Sequence, residues 1–185
     1  MQITDVSTQT KAMIDDLKAV CANYGLGNSG NEYKIITEAF LYKFLNDKFI
    51  YEARHIVPGY ANMTAAEVES AMSAMSHDDY ELMLLEFGAA TARLKREHYI
   101  SYLFNHQNED NFHTLFDDTL VDISNYNVDI FSVKAGGQAK ISLFDKLSQY
   151  VIEEEKLFIT AGSVECALKW HDLSIVILAV VGENH

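Results

Sequence analysis

The chain has 185 residues, of which 49% are apolar and 11% aromatic, and its formal net charge is −13. This apolar content is enough for one domain with a buried core, and it excludes an intrinsically disordered polymer. A single proline and nine glycines favour helices over a turn-rich β architecture.

The amino-terminal segment MQITDVSTQTK lacks the basic-then-apolar pattern of a secretion signal. Across the whole chain, no apolar run reaches the ~18 residues that a membrane span needs. We therefore expect a soluble, cytoplasmic protein without a membrane partner. Cys21 and Cys166 have neither CxxC spacing nor a histidine at ligand spacing, so free thiols are expected.

The acidic residues are concentrated in two blocks that contain no Lys or Arg. Residues 56–91 carry six acids and residues 97–133 carry seven. These thirteen acids account for the net charge, because fourteen acids balance fourteen bases in the rest of the chain. A surface of this kind repels phosphate at long range, so the isolated domain should bind DNA weakly.

Residues 8–24 place apolar side chains at helical spacing and predict an amphipathic helix. Gly25, Gly27 and Gly30 follow it with the GxGxxG spacing of dinucleotide-binding turns. Such a site needs a β-strand before the turn and an acid at the end of a second strand ~20 residues later. The segment before these glycines is predicted to be helical, so we interpret them as a turn between two helices.

Residues 29–53 are predicted to form the central helix. Ser29 and Glu32 have the spacing of a capping box. Apolar and aromatic residues then fall on three sides, which are Tyr33, Ile36, Phe40 and Phe44; Leu41, Leu45 and Phe49; and Ile35, Ala39 and Ile50. A helix that is apolar on several sides is normally buried among others. The predicted fold class is therefore mainly α, with a single helical domain around this helix.

Further helix starts are written at Thr64 with Glu67 and at Ser76 with Asp79, both spaced as capping pairs. Additional elements are predicted over the following ranges: two helices within 98–126, a loop or short hairpin near 128–142, and a helix over 143–155. The apolar run 173–181 is compatible with a buried strand or a buried helix.

One group of residues resembles a metal-ligand set by composition. It comprises His106, His113, Glu109, Asp117 and Asp118. The two histidines are seven residues apart, which is two helical turns or roughly 10 Å, too far for one ion without ligands from other elements. We therefore expect no metal site.

Two blocks of the chain resemble a known family. ANYGLGNSGNEYKIITEAFLYKFLNDKFIYEA (22–53) and residues 101–156 are similar to successive parts of the amino-terminal helical region of type I restriction-modification DNA methyltransferase modification subunits. Residues 62–94 are the least similar, and we interpret them as a variable insertion or a divergent helix pair. Residues 157–185 match neither the further helices nor the methyltransferase domain of that family. We thus divide the chain into a domain over 1–156 and an unassigned, divergent or truncated tail over 157–185.

The resemblance implies a role in DNA modification. Subunits of this family methylate adenine within a bipartite DNA target with S-adenosylmethionine, a specificity subunit reads the sequence, and a pair of modification subunits clamps the duplex. Their amino-terminal domain is non-catalytic: it packs against the partner subunit, closes around DNA and helps present the cofactor domain. Methylation needs an Asn/Asp-Pro-Pro-aromatic tetrapeptide, which a chain whose single proline is Pro58 cannot contain. We expect no catalytic residue, metal or cofactor in this chain, because S-adenosylmethionine would bind the catalytic domain.

If the domain faces DNA, the candidate DNA or partner contacts are Lys34, Lys43, Lys48, Arg54, Lys95 and Arg96. The last two belong with Arg93 to a basic cluster, which is more simply interpreted as offsetting neighbouring carboxylates on a solvated helix face. Two other functions stay open. One is an acidic decoy that imitates DNA, which needs carboxylates in two rows at phosphate-like separation. The other is a helical scaffold without chemistry.

Overall fold

A glycine turn joins the first two helices. The structure is a computed structural model and describes residues 3–89, 91–131, 142–155 and 164–183. Helix α1 spans Ile3–Asn23 and helix α2 spans Gly30–Ile56. Gly25 lies between them with a φ of +74°, a left-handed conformation that glycine adopts without Cβ strain. Because a helix directly precedes the turn, the interpretation of the glycines as a helix-to-helix connection is confirmed.

Only one of the two hydrogen bonds of the predicted capping box forms at the start of α2. Ser29 Oγ accepts a hydrogen bond from the Glu32 N–H at 3.1 Å. The Glu32 carboxylate, however, accepts its hydrogen bond from the Asn28 N–H at 2.7 Å rather than from Ser29. Asn28 has a φ of +61°, and this left-handed backbone presents its amide to the carboxylate. The reciprocal bond of the predicted capping box therefore goes to a residue one position earlier.

Two short helices follow the loop after α2. Helix α3 spans Ala65–Ala74 and helix α4 spans His77–Glu86. Thr64 and Glu67 form the complete predicted capping box at the start of α3. Ser76 accepts the hydrogen bond of the third amide of α4, as its position predicts. Both starts are therefore fixed by residues adjacent in the sequence.

A 3-10 turn, Arg96–His98, leads into helix α5 (Ile100–His106) and helix α6 (Phe112–Tyr126), the two helices predicted within 98–126. Helix α7 spans Val128–Phe131. The beginning of the segment predicted as a loop or hairpin is thus helical, since the chain continues the turn that ends α6. Residues 132–141, the rest of that segment, lie outside the described residues.

The last two helices are α8 (Leu147–Glu155) and α9 (Val164–Glu183). The apolar run that sequence left open between strand and helix lies in α9. This helix packs against α1, α5, α6 and α8, and Leu173, Ile177 and Leu178 are fully buried. Among the described residues, no helix has the length and apolarity needed to cross a membrane.

Helix α2 is the central helix of the domain. It contacts α1, α3, α4, α8 and α9. Tyr42, at its midpoint, is fully buried and donates a hydrogen bond to the His98 carbonyl oxygen at 3.0 Å. No strand occurs in the described part of the chain, and the predicted mainly α, single-domain fold is confirmed. Cys21 is a buried free thiol, as predicted, while the side chain of Cys166 lies outside the described residues.

Three apolar sides of α2 are predicted to be buried among other helices, and one of them is buried only in part. Tyr33 is 72% exposed and Phe44 is 49% exposed, although both belong to one of the three predicted apolar sides. The neighbouring helices surround α2 incompletely. One aromatic side of the central helix therefore faces solvent.

Candidate functional site

Four of the six basic candidate contacts lie on α2, but they do not share one side of it. Lys34 and Lys43 are nine residues apart, which at about 100° per residue places them on opposite sides of the helix. Lys43 is buried and its Nζ lies 2.5 Å from the Asp47 carboxylate. Lys48 lies 3.9 Å from Glu52. Ion pairs within the helix thus engage two of the four.

The other two α2 candidates contact the protein differently. The Nζ of Lys34 is exposed and lies 4.7 Å from the centroid of the Tyr150 ring on α8. Arg54 is half-buried near the end of α2, and within the described part of the chain its buried Nε makes no hydrogen bond. Of this group Lys34 is exposed, Lys48 and Arg54 are half-buried, and Lys43 is buried.

Lys95 and Arg96 lie at the 3-10 turn between α4 and α5 and not on a helix face, but Lys95 offsets a neighbouring carboxylate as predicted. Lys95 Nζ lies 2.6 Å from Asp122 Oδ2. The guanidinium of Arg96 donates to the Met75 carbonyl oxygen at 2.7 Å and the Ser76 carbonyl oxygen at 3.2 Å. Met75 is the C-cap of α3 and Ser76 is the N-cap of α4, and Arg96 Nε also donates to the Met72 carbonyl oxygen in the last turn of α3 at 3.2 Å, where helical acceptors lack partners. Arg96 therefore completes the hydrogen bonding of a helix end.

A buried histidine lies beside the same carboxylate. His98 Nδ1 accepts a hydrogen bond from the Lys95 N–H at 3.1 Å, so Nε2 carries the proton and donates to Asp122 Oδ2 at 2.7 Å. Burial lowers the pKa of His98, and the Asp122 carboxylate opposes that shift. A paired histidine and aspartate can suggest general-base chemistry. Here both ring nitrogens are engaged within the protein, so the arrangement is structural.

A second polar network joins α2 to α8 through a tyrosine hydroxyl. Tyr150 Oη lies 3.0 Å from Glu38 Oε1 and 3.0 Å from Asp145 Oδ2. The other oxygen of Glu38 accepts from the Asp145 N–H at 3.2 Å. Burial raises the pKa of Glu38 to about 7, and nearby Asp145 and Asp117 add to that rise. Because one hydroxyl hydrogen cannot serve two carboxylates, a proton on Glu38 lets both hydrogen bonds form.

Sequence reasoning missed both networks. His98 and Asp122 are on different elements, and Glu38 and Tyr150 are separated by most of the chain. Neither pair has a spacing that marks it within one helix or one motif. Only the packing of the helices brings these side chains together.

Several residues of the two acidic blocks do not present a free carboxylate to solvent. Glu69 and Asp117 are buried. Asp118 lies 2.8 Å from the Nζ of Lys146, and Asp122 is paired with Lys95. The blocks contain no base in the sequence, but in space they meet lysines from outside. Their acidic surface is therefore interrupted.

The residues that resemble a metal-ligand set by composition are spread over separate contacts. His106 Nδ1 donates to the Tyr102 carbonyl oxygen at 2.7 Å, and its Nε2 is 3.9 Å from Glu109. The ring of His113 packs instead against the ring of His171, with centroids 5.5 Å apart. In the part of the chain that the structure describes, no three such side chains come together as a metal-ligand group.

Surface cavities lie between the described helices. One, of about 340 Å³, lies between α1 and α2 and is lined by Ile14, Lys18, Tyr33, Ile36 and Phe40 among others. The other, of about 460 Å³, lies between α3, α5 and α9. The first continues into the exposed aromatic side of α2. The exposed residues of this side include Tyr33 and Phe44.

Comparisons of the chain with models of protein families, with curated proteins and with solved structures find no match.

Proposed function

We propose that this chain is the amino-terminal helical domain, or a shortened form, of a type I restriction-modification adenine-specific DNA methyltransferase modification subunit. Its role is subunit assembly and DNA clamping without chemistry of its own. The observation that carries the proposal is that the two resembling blocks, 22–53 and the described part of 101–156, pack into one core. The rings of Tyr42 and Phe116 meet edge to face with centroids 5.9 Å apart. Asn31 Nδ2 donates to the Tyr150 carbonyl oxygen at 3.1 Å.

The partners in this proposal are a specificity subunit and a second modification subunit. DNA is reached through the assembled complex, because a net charge of −13 disfavours binding by the domain alone. S-adenosylmethionine binds the catalytic domain of the parent protein. The engagement of Lys43 and Arg96 inside the fold leaves Lys34 and Lys48 as the better candidates for contact with DNA or a partner.

Co-purification with a cognate specificity subunit tests the proposal. The tagged chain is co-expressed with that subunit and with a full-length modification subunit, and captured complexes are resolved by size-exclusion chromatography. We expect a stable complex with at least one of them. Reversal of charge at Lys34 and Lys48 together serves to map the contact, and Leu85→Glu on α4 is the control. Failure of both subunits to bind, with no methylation partner encoded nearby, would overturn the proposal.

A DNA-imitating decoy has weaker support. Such a protein needs continuous rows of available carboxylates, whereas Glu69 and Asp117 are buried and Asp118 is paired with Lys146. The decoy predicts that the chain inhibits a restriction enzyme in a cleavage assay at stoichiometric amounts. Undiminished cleavage would remove this alternative.

A further inference from the structure

The exposed side of α2 carries four aromatic residues along one line, which we name the aromatic line: Tyr33, Phe40, Phe44 and Tyr51. At about 100° per residue, Tyr33 and Tyr51 have the same direction five turns apart, and the two phenylalanines deviate by about 20° to either side. Tyr33, Phe44 and Tyr51 are 72%, 49% and 58% exposed, and Phe40 is partly buried. Tyr42, at the midpoint of α2, lies on the opposite side of the helix and is fully buried.

The aromatic line is symmetric about Tyr42. Phe40 and Phe44 are two residues before and after it, and Tyr33 and Tyr51 are nine residues before and after it. When two such helices pack antiparallel around a two-fold axis level with Tyr42, each tyrosine meets the other tyrosine of the second copy. Each Phe40 likewise meets Phe44. A surface that complements itself in this way is what a two-fold interface requires.

The charge of α2 permits this approach. The helix contains four acids and four bases and is neutral, although the chain as a whole has a net charge of −13. The charges beside the aromatic line are largely paired within the helix, as the exposed Asp47 with the buried Lys43 and Lys48 with Glu52. Two copies of a strongly acidic protein repel each other least where their surfaces are neutral.

The area of the surface sets the strength of the contact. With about 200 Å² on each aromatic side chain, the exposed parts of Tyr33, Phe44 and Tyr51 amount to roughly 350 Å² per copy. When the exposed parts of Phe40 and Thr37 and the aliphatic part of Lys48 are added, the area buried by the two copies together is about 1,000 Å². This is the lower bound for a specific interface. The expected contact is weak, with a Kd of about 10 µM or higher.

We infer that the aromatic line of α2 is a self-association surface through which two copies of this chain pair with antiparallel α2 helices centred on Tyr42. The inference concerns the isolated chain and does not rest on the proposed parent function. In this pair, the cavity between α1 and α2, which Tyr33 lines, receives part of Tyr51 of the second copy.

Sedimentation equilibrium over a concentration series tests the surface. We expect the wild type to dimerise at tens to hundreds of micromolar, and Phe44→Glu to weaken dimerisation by at least tenfold. Leu85→Glu is the matched control, because Leu85 is 68% exposed on α4, away from the aromatic line. Unchanged thermal melts show that the variants fold. A wild type that stays monomeric throughout, or equal effects of the two variants, would overturn the inference.

The register is tested by cross-linking with a short bis-maleimide. Tyr33→Cys and Tyr51→Cys are made separately in a Cys166→Ser background. Cys21 is buried, and burial raises the pKa of its thiol to about 11, so it reacts slowly. Mixing the two variants should give several-fold more cross-linked dimer than either variant alone. A higher yield from the unmixed samples would indicate parallel helices, and equal yields would indicate no fixed register; either contradicts the antiparallel pair.

Discussion

Tyr150 has one hydroxyl hydrogen, yet its oxygen lies 3.0 Å from a carboxylate oxygen of Glu38 and from one of Asp145. The missing hydrogen is supplied when Glu38 is protonated, and burial favours that form by raising its pKa to about 7. The attachment of α8 to α2 at this point therefore depends on a proton. A single residue thus links the packing of two helices to pH.

This dependence has a definite sign. Because the folded-state pKa of Glu38 is raised from 4.5 to about 7, its stabilising contribution is full below pH 4.5 and is lost as the pH rises through 7. Glu38→Gln keeps a neutral side chain, so we expect this variant to be more stable than wild type at pH 8 by about 1–2 kcal/mol, after a discount for partial exposure. Near pH 4.5 the two should be alike. Urea denaturation at both values measures the difference, with Glu52→Gln as the control; a Glu38→Gln variant that is less stable at pH 8 contradicts the shared-proton geometry.

The two hydrogen bonds of the buried His98 ring give a second prediction at the residue scale. Replacement by leucine leaves the Lys95 N–H without its acceptor and removes a hydrogen bond from Asp122. We expect His98→Leu to lower the free energy of unfolding by about 1–3 kcal/mol, the cost of buried polar groups without partners. Urea denaturation at pH 7.5 provides the measurement. His77→Leu, at an exposed position, should change it by less than about 0.5 kcal/mol, and equal losses for both would show that the buried bonds contribute nothing.

At the scale of the elements, the starts of the helices are written locally and were largely predicted. Ser29, Thr64 and Ser76 each accept the hydrogen bond of an amide three residues on, and such bonds need only neighbouring residues. The sequence did not predict which side of α2 packs against a neighbouring helix. Tyr33 and Phe44 are aromatic and occur at helical spacing, just like the residues of α2 that face the core. The pairs His98 with Asp122 and Glu38 with Tyr150 were missed for the same reason, since they depend on how the helices pack.

The complete capping box of α3 gives a test at this scale. Thr64→Ala removes the acceptor for the Glu67 N–H and the hydroxyl that donates to the Glu67 carboxylate, which keeps the backbone N–H of residue 64 as a donor. We expect a loss of about 1 kcal/mol in the free energy of unfolding, and Thr64→Ser should restore most of it. Chemical denaturation followed by circular dichroism measures both. An alanine variant as stable as wild type would mean that packing alone fixes this helix start.

For the whole molecule, α9 is a part of the core that comes late in the chain. Leu178 is fully buried in α9, which packs against α1, α5 and α6. Leu178→Ala should lower the free energy of unfolding by about 2–5 kcal/mol, through the lost apolar contact and the cavity that remains. Leu85→Ala on the exposed side of α4 should change it by less than about 0.5 kcal/mol. Calorimetric melting distinguishes them, and a tolerated Leu178→Ala would place α9 outside the cooperative unit.

The contact between α1 and α9 also affects how the protein folds during its synthesis. Helix α1 is synthesised before α9, and some of the surface it covers in the native state belongs to residues more than 140 positions later. Contacts so distant in the chain slow the search for the native state. During synthesis the apolar side of α1 that α9 covers therefore stays accessible to chaperones until α9 has been made.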